Sequence, residues 1–227
     1  MLVRSFPASL WGTNCHVVAP GEGEHCVLID PGYDVVEQVG ELVREHRLRP
    51  VAVVLTHGHL DHTWSVTPLC GSYDAACWIH PDDRAQLSDP GAWLDPTSEQ
   101  MLAEMGAQFT EPEDVRELSD GIDLELAGLR FSVAHTPGHT LGSLMFELTD
   151  EHAGEQMVFS GDTLFAGSIG RTDLPGGNPD QMRTSLLTKV LPLPDPTIVL
   201  PGHGPATTIG QERTTNPFLI ELIDPRR

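Results

Sequence analysis

Positive charge is scarce in this chain. Its 227 residues include 33 acidic side chains against 13 basic ones, a formal net charge of −20 with histidine neutral. A surface of that sign repels a phosphate backbone and anionic lipid, so neither nucleic acid nor a membrane surface is an expected partner. Long hydrophobic runs are absent too. Val51-Ala52-Val53-Val54-Leu55 is typical of the longest, against the roughly 20 apolar residues a membrane-spanning helix needs. No basic segment followed by an apolar stretch opens the chain, so no secretory leader is expected. Cysteine is sparse: Cys15, Cys26, Cys70 and Cys77 form no CxxC pair and no regular framework. They read as reduced thiols of a cytoplasmic protein, with Cys26 a small core residue.

What remains is an ordinary globular composition, 39% hydrophobic and 20% charged, on a length that suits one large domain or two small halves. Short strands are expected at 2–6, 15–19 and 25–29, the last ended by Asp30-Pro31-Gly32. Helical spacing of Val35, Val36, Val39, Leu42 and Val43 predicts an amphipathic helix over 33–47. The apolar strand 51–55 runs straight into Thr56-His57-Gly58-His59-Leu60-Asp61-His62. A helix is expected from Thr63 and a strand at 75–80. Residues 86–118, rich in Pro, Asp, Ser and Gly, read as a surface excursion with a short helix at 98–105 that either lines a site or, by default, is a solvated connection. The second half repeats the theme. Strands are expected at 122–126, 129–134, 143–148, 156–160 and 197–200, a helix at 180–189, and a C-terminal helix whose start Pro217 limits. This alternation predicts an α/β layered fold. It is one domain over 1–227 in two similar halves, about 1–120 and 121–227, with a site along their shared edge.

The chemistry lies in the 11 histidines, several grouped with acids and glycines. In an extended segment, residues two apart project to the same side, so His57 and His59 can chelate one metal. Asp61 and His62 can reach a second. Gly58 is expected to clear space for backbone passing close to the cations. Imidazole with carboxylate suits zinc, iron or manganese. Three later segments share the logic of a ligand next to glycine beside a strand: Pro137-Gly138-His139, Gly161-Asp162 and Pro201-Gly202-His203-Gly204. Four potential ligands in the six residues 57–62 would repel and crowd one another without a cation. His135 suits a supporting role, while His16, His25, His46, His80 and His152 have no partner pattern.

His57–His62, His139, Asp162 and His203, in this order, resemble the metallo-β-lactamase superfamily. Phe165-Ala166-Gly167-Ser168-Ile169-Gly170-Arg171-Thr172-Asp173 is similar to its glyoxalase II-like group, and Glu212–Leu219 to the short bacterial members, which lack the C-terminal glutathione-holding domain. The resemblance implies a four-layer αβ/βα sandwich with two mixed sheets. It implies two divalent metals, zinc foremost with iron or manganese as alternatives. His57, His59 and His139 would hold the first, Asp61, His62 and His203 the second, with Asp162 bridging. Aspartate rather than cysteine at 162 argues against a typical metallo-β-lactamase, and histidine rather than glutamate at 59 against the flavodiiron proteins.

Two such cations about 3.5–4 Å apart share a water and lower its pKa toward about 7. The implied activity is hydrolysis of an acyl-thiol thioester such as S-lactoylglutathione, because a thiolate leaves without a strong general acid. The alternative is a mononuclear-iron persulfide dioxygenase, which typically carries cysteine where this chain has Ile169. Asp61 either orients the hydroxide or serves purely as a ligand. Asp30 either fixes a histidine tautomer or only turns the chain, the second being favoured. Arg171 either forms a buried brace with Asp173, the favoured reading, or meets a substrate carboxylate. Asn14-Cys15 either approaches the cleft or only enters a strand, the second being favoured, with no base to activate the thiol. No feature of the sequence sets an oligomeric state.

Overall fold

Segments apolar at every position need cover on both faces, and the layers of this protein supply it. The computed structural model describes residues 1–150 and 153–224; His152 lies outside them. The first sheet has the order β1 (Leu2–Pro7), β2 (Asn14–Ala19), β3 (His25–Ile29), β4 (Arg49–Val54), β5 (Ala76–Ile79), β6 (Val115–Glu117). Its first three strands pair antiparallel, and β3 to β6 run parallel. The second sheet comprises β7 (Asp123–Leu126), β8 (Leu129–His135), β9 (Leu144–Asp150), β10 (Glu155–Gly161), β11 (Ile198–Pro201) and β12 (Thr207–Thr208), in reverse order across the sheet. Only the β10–β11 pair is parallel. Both sheets are therefore mixed.

Alternation along the strands sorts the core into three apolar layers. Val17, Leu28, Val53 and Leu55 point outward beneath α1 (Val36–Glu45) and the helices α2 (Leu60–Thr63) and α3 (Val66–Tyr73). Their neighbours Val18, Val27, Ala52 and Val54 point inward, against Phe131, Phe146 and Phe159 of the second sheet. Met145 and Val158 point to the far side. There they meet Met182 of α5 (Pro179–Ser185) and its π-helical extension Leu186–Val190, with Ile209 of α6 (Ile209–Thr215) and Leu219 of α7 (Pro217–Ile223). Helix α4 (Pro96–Met105) lies within the connection from β5 to β6 of the first sheet. The result is the expected αβ/βα sandwich.

Several expected boundaries move, for local reasons. Helix α1 is shorter than 33–47 because Asp34 and Arg47 both take left-handed φ angles, +53° and +54°. The first helix after the histidine segment starts at Leu60 rather than Thr63, so Asp61 and His62 sit on a helical turn. The C-terminal helix is two helices, parted by the extended Asn216, whose side chain caps α7 at the Phe218 amide. The segment 86–118 runs largely exposed, as an excursion should, but does more than connect. It ends in β6, which pairs with β5, and its middle lines a cavity beside Asp61. No helix among the described residues is long and apolar enough to cross a membrane.

Candidate metal centre

Every expected ligand is delivered by a strand end or the turn behind it. His57 and His59 follow β4, and Asp61 and His62 ride on α2. His139 sits in the turn after β8, Asp162 leaves β10, and His203 leaves β11. The parallel pairing of β10 and β11 brings the last two together across 41 residues of chain, with Gly161 opposite Pro201. Two glycines make the approach possible. A Cβ on Gly202 would fall on Asp162 Oδ1, and one on Gly161, whose φ is +47°, on the Thr56 side chain. Gly58 is needed for a reason the sequence did not suggest. A Cβ there would meet Asp83 and Gln86 of the turn Pro81–Leu87, so that turn crowds it.

All seven side chains converge. Donor atoms of His57, His59 and His139 lie within 4.8 Å of one another, as do those of His57, His62 and Asp162, and those of Asp61, His62 and His203. His62 Nε2 is 3.3 Å from Asp162 Oδ1 and 3.5 Å from Asp61 Oδ2, and His203 Nε2 is 3.1 Å from Asp61 Oδ2. His139 Nε2 is 3.5 Å from Asp162 Oδ2. A tetrahedral metal with bonds of about 2.0–2.2 Å holds its donors roughly 3.3–3.6 Å apart, so these spacings suit shared cations. His57 Nε2, His62 Nε2 and Asp162 Oδ1 are buried with no hydrogen-bond partner. Orphaned acceptors cost free energy unless something occupies them, and a divalent metal fits this donor set.

The outer partners fix which nitrogen faces inward. Thr56 Oγ1 donates to Asp30 Oδ2 (2.6 Å) and so accepts from His57 Nδ1 (3.1 Å). His62 Nδ1 donates to Asp30 Oδ2 (2.9 Å), and His139 Nδ1 to the Arg171 carbonyl (2.7 Å). Each leaves an Nε2 lone pair for a metal. Asp30 therefore does more than turn the chain, although its φ of +50° does that as well. His59 presents Nδ1 instead, 2.8 Å from His139 Nε2.

Electrostatics divide the cluster. Burial and the surrounding imidazoles pull His57 well below its ordinary range, and burial with His139 takes His59 down to about 3. Burial acts the same way on His62, but Asp61, Asp162 and Asp30 outweigh it and raise this imidazole well above normal. Burial opposes ionisation of Asp61, yet His62 and His203 hold its carboxyl below the usual range. The acidic side thus attracts positive charge, and the other side offers neutral ligands.

Sequence reasoning missed or underrated four residues that hold this arrangement. Thr13 donates to Asp61 Oδ2 at 2.8 Å. Asp83, fully buried, accepts from the Gly58 and Gly142 amides and the Thr140 hydroxyl, tying both ligand loops together. Asn14 donates to the carbonyls of Pro201 and Gly204 around His203, more than a strand-entry role. Glu212 accepts from the Gly167 amide and Asn216, bracing the loop after Asp162. Only Asn14 and Glu212 carried any signal, through the segments around them. The expected Arg171–Asp173 pair forms, but it is exposed rather than buried, because the loop runs along the rim of the site. His135 stacks on His80 with ring centres 4.2 Å apart. Burial and nearby Asp30 push the Cys15 thiol far up, which leaves it inert.

Set against known proteins, the sequence model of the metallo-beta-lactamase superfamily matches residues 8–203. The chain belongs to that superfamily. Among curated relatives, an uncharacterized protein of Mycobacterium tuberculosis is 45% identical, covering 98% of this chain and 99% of its own. The hydroxyacylglutathione hydrolase GloC of Haemophilus influenzae is 34% identical, over 96% of this chain and 98% of its own. Among solved structures, the BLEG-1 B3 metallo-beta-lactamase superposes with a TM-score of 0.81 at 37% identity, over 96% and 99% of the two chains. TTHA1623 in a di-iron-bound form gives 0.77 at 38%, over 95% and 100%. Superfamily membership and the His/Asp cluster together mark a metallo-hydrolase that uses divalent metal.

Proposed function

We propose that this superfamily member hydrolyses acyl-thiol thioesters at a centre of two divalent metals, zinc foremost. The observation that carries the reading is the convergence of seven ligands in overlapping groups, with Asp162 within reach of both sets of histidines. His57, His59 and His139 would hold one metal, Asp61, His62 and His203 the other, and Asp162 would bridge. Bound there, the metals lower the pKa of water toward about 7 and polarise a carbonyl. The relative named hydroxyacylglutathione hydrolase supports a thioester as the bond cleaved.

The chain's own residues do the rest. Asp61 and His203 are the open side of the centre, with side chains 24% and 30% exposed, whereas His57, His62 and His139 are closed off. Substrate therefore arrives at Asp61, which borders the cavity and is the residue to orient the attacking water. Thr13 holds the Asp61 carboxylate in that pose. Asp30, Thr56 and the Arg171 carbonyl keep protons on the outer imidazole nitrogens. Solvent at the rim protonates the departing thiolate.

Ile169 packs against the outer apolar layer of the second sheet, which gives the persulfide dioxygenase alternative no thiol at that position. The test is turnover by metal-analysed protein on S-lactoylglutathione and other acyl-thiols, beside a β-lactam and, with oxygen uptake, glutathione persulfide. Thioester cleavage with two metals per chain is expected. A β-lactam as the best substrate, or one iron with oxygen uptake, overturns the reading.

A further inference from the structure

The thioester reading leaves open what the substrate carries beyond the scissile bond. A cavity of ≈ 200 Å³ opens beside Asp61. Trp11, Leu60, Leu94, Met101, Leu102 and Leu174 form most of its wall. Behind it the Trp11 ring stands edge-on to Tyr33 (5.3 Å between centres), and Tyr33 and Trp64 pack at 4.7 Å. An aromatic cluster of that kind keeps its shape when the cavity empties. The wall is therefore a preformed apolar surface next to the reacting atoms.

Its charges do not suit an anion. Among the described residues Arg171 is the one cation lining the cavity, and one edge of its fork is already closed on Asp173, with Nε to Oδ1 at 2.7 Å and Nη2 to Oδ2 at 2.8 Å. Asp95, also in the wall, spends its carboxylate on the Thr97 and Ser98 amides and the Ser98 hydroxyl at the start of α4, where it stays a fixed negative charge. Around them the protein carries a net charge of −20. A glutathione thioester brings two carboxylates and one ammonium, so it arrives net negative. Arg171 would have only its Nη1 edge left for a carboxylate, with the charges of Asp173 and Asp95 close by. An apolar chain needs nothing but the wall.

We infer that this cavity takes the apolar part of an uncharged or weakly charged acyl-thiol in preference to a glutathione thioester. The inference rests on the thioester reading for the reaction but on the cavity wall for the ligand class. The six apolar side chains bind the chain by excluding water, and the closed Arg171–Asp173 pair and Asp95 discriminate against carboxylates.

Calorimetry on the metal-loaded protein tests it with two non-hydrolysable thioethers, S-hexyl-N-acetylcysteamine and S-hexylglutathione. The neutral ligand is expected to bind at least tenfold tighter. Its affinity should rise by up to about fourfold per methylene from S-ethyl to S-hexyl. Met101→Asp, at a half-exposed position on the rim, should weaken the neutral ligand at least fivefold with metal content unchanged. Asp173→Ala should free Arg171 and narrow the gap by tightening S-hexylglutathione. Equal or tighter binding of S-hexylglutathione by the unmodified protein overturns the inference, as does indifference of the neutral ligand to Met101→Asp. Kinetics on the matching thioesters keep the two claims apart. If the binding order holds but no thioester is cleaved, the ligand class stands and the hydrolase reading falls. If S-lactoylglutathione is the best substrate and S-hexylglutathione the tighter ligand, the reverse is true.

Discussion

The two sheets supply the metal centre in different ways. The first contributes four candidate ligands within six residues, two on the turn after β4 and two on α2. The second contributes one ligand from each of three separate strand ends. The local set is rigid because two buried carboxylates hold its backbone: Asp30 takes the Thr56 amide, and Asp83 the Gly58 amide. The dispersed set depends on pairing within the second sheet and on glycines that let backbones touch. Errors in the first should stay local, whereas errors in the second should disturb the whole cluster.

Substitutions sharpen that contrast. Asp162→Ala removes a carboxylate within reach of histidines of both groups. It is expected to lower metal content and activity by more than the roughly 100-fold typical of losing an outer partner, read by elemental analysis and turnover. Loss of one metal with full retention of the other would break the comparison. Asp30→Ala releases Thr56 and His62 together and should cost about 10–100-fold in metal affinity, measured by competition with a chelator. Next is pH. His62 is raised above its ordinary range by three carboxylates and must lose its proton to ligate. Affinity should therefore climb as pH rises through that raised value, by up to about tenfold per unit for each proton released. An affinity flat with pH contradicts the electrostatic reading.

Asp83→Asn leaves a single oxygen where three donors converge, on a carboxyl that burial already raises above its ordinary value. The expected cost is about 1–2 kcal/mol of stability, seen by denaturant unfolding, with little change in metal stoichiometry. The smallest effect belongs to the exposed pair: Asp173→Ala should change turnover of a neutral thioester by less than about threefold. A large loss would show that the rim, not the strand ends, positions His139 through the Arg171 carbonyl.

Much of the second sheet was legible, since the strands 129–134 and 156–160 were read within a residue or two of β8 and β10. Alternation in strands and helical spacing are local signals, and they survive folding. The seven candidate ligands were legible for a related reason: metal ligands must be of few residue types, and crowding them is costly unless they meet. Asp83 and Thr13 were not, because a buried acceptor of backbone amides has the same sequence appearance as an exposed turn residue. The part played by the link 86–118 was only half legible. Polar, proline-rich composition describes a loop's backbone needs, not the cavity that its Leu94, Met101 and Leu102 complete.

Composition alone determined that this protein has an acidic surface and a histidine-rich chemistry, and residue order determined the layered fold and the set of ligands. The tertiary structure alone decided which nitrogen of each imidazole faces the centre, which ligands stay open to solvent, and what kind of wall stands beside Asp61. Those depend on contacts between residues tens of positions apart. The energy of such a contact lies in distance and burial, neither of which is written along the chain.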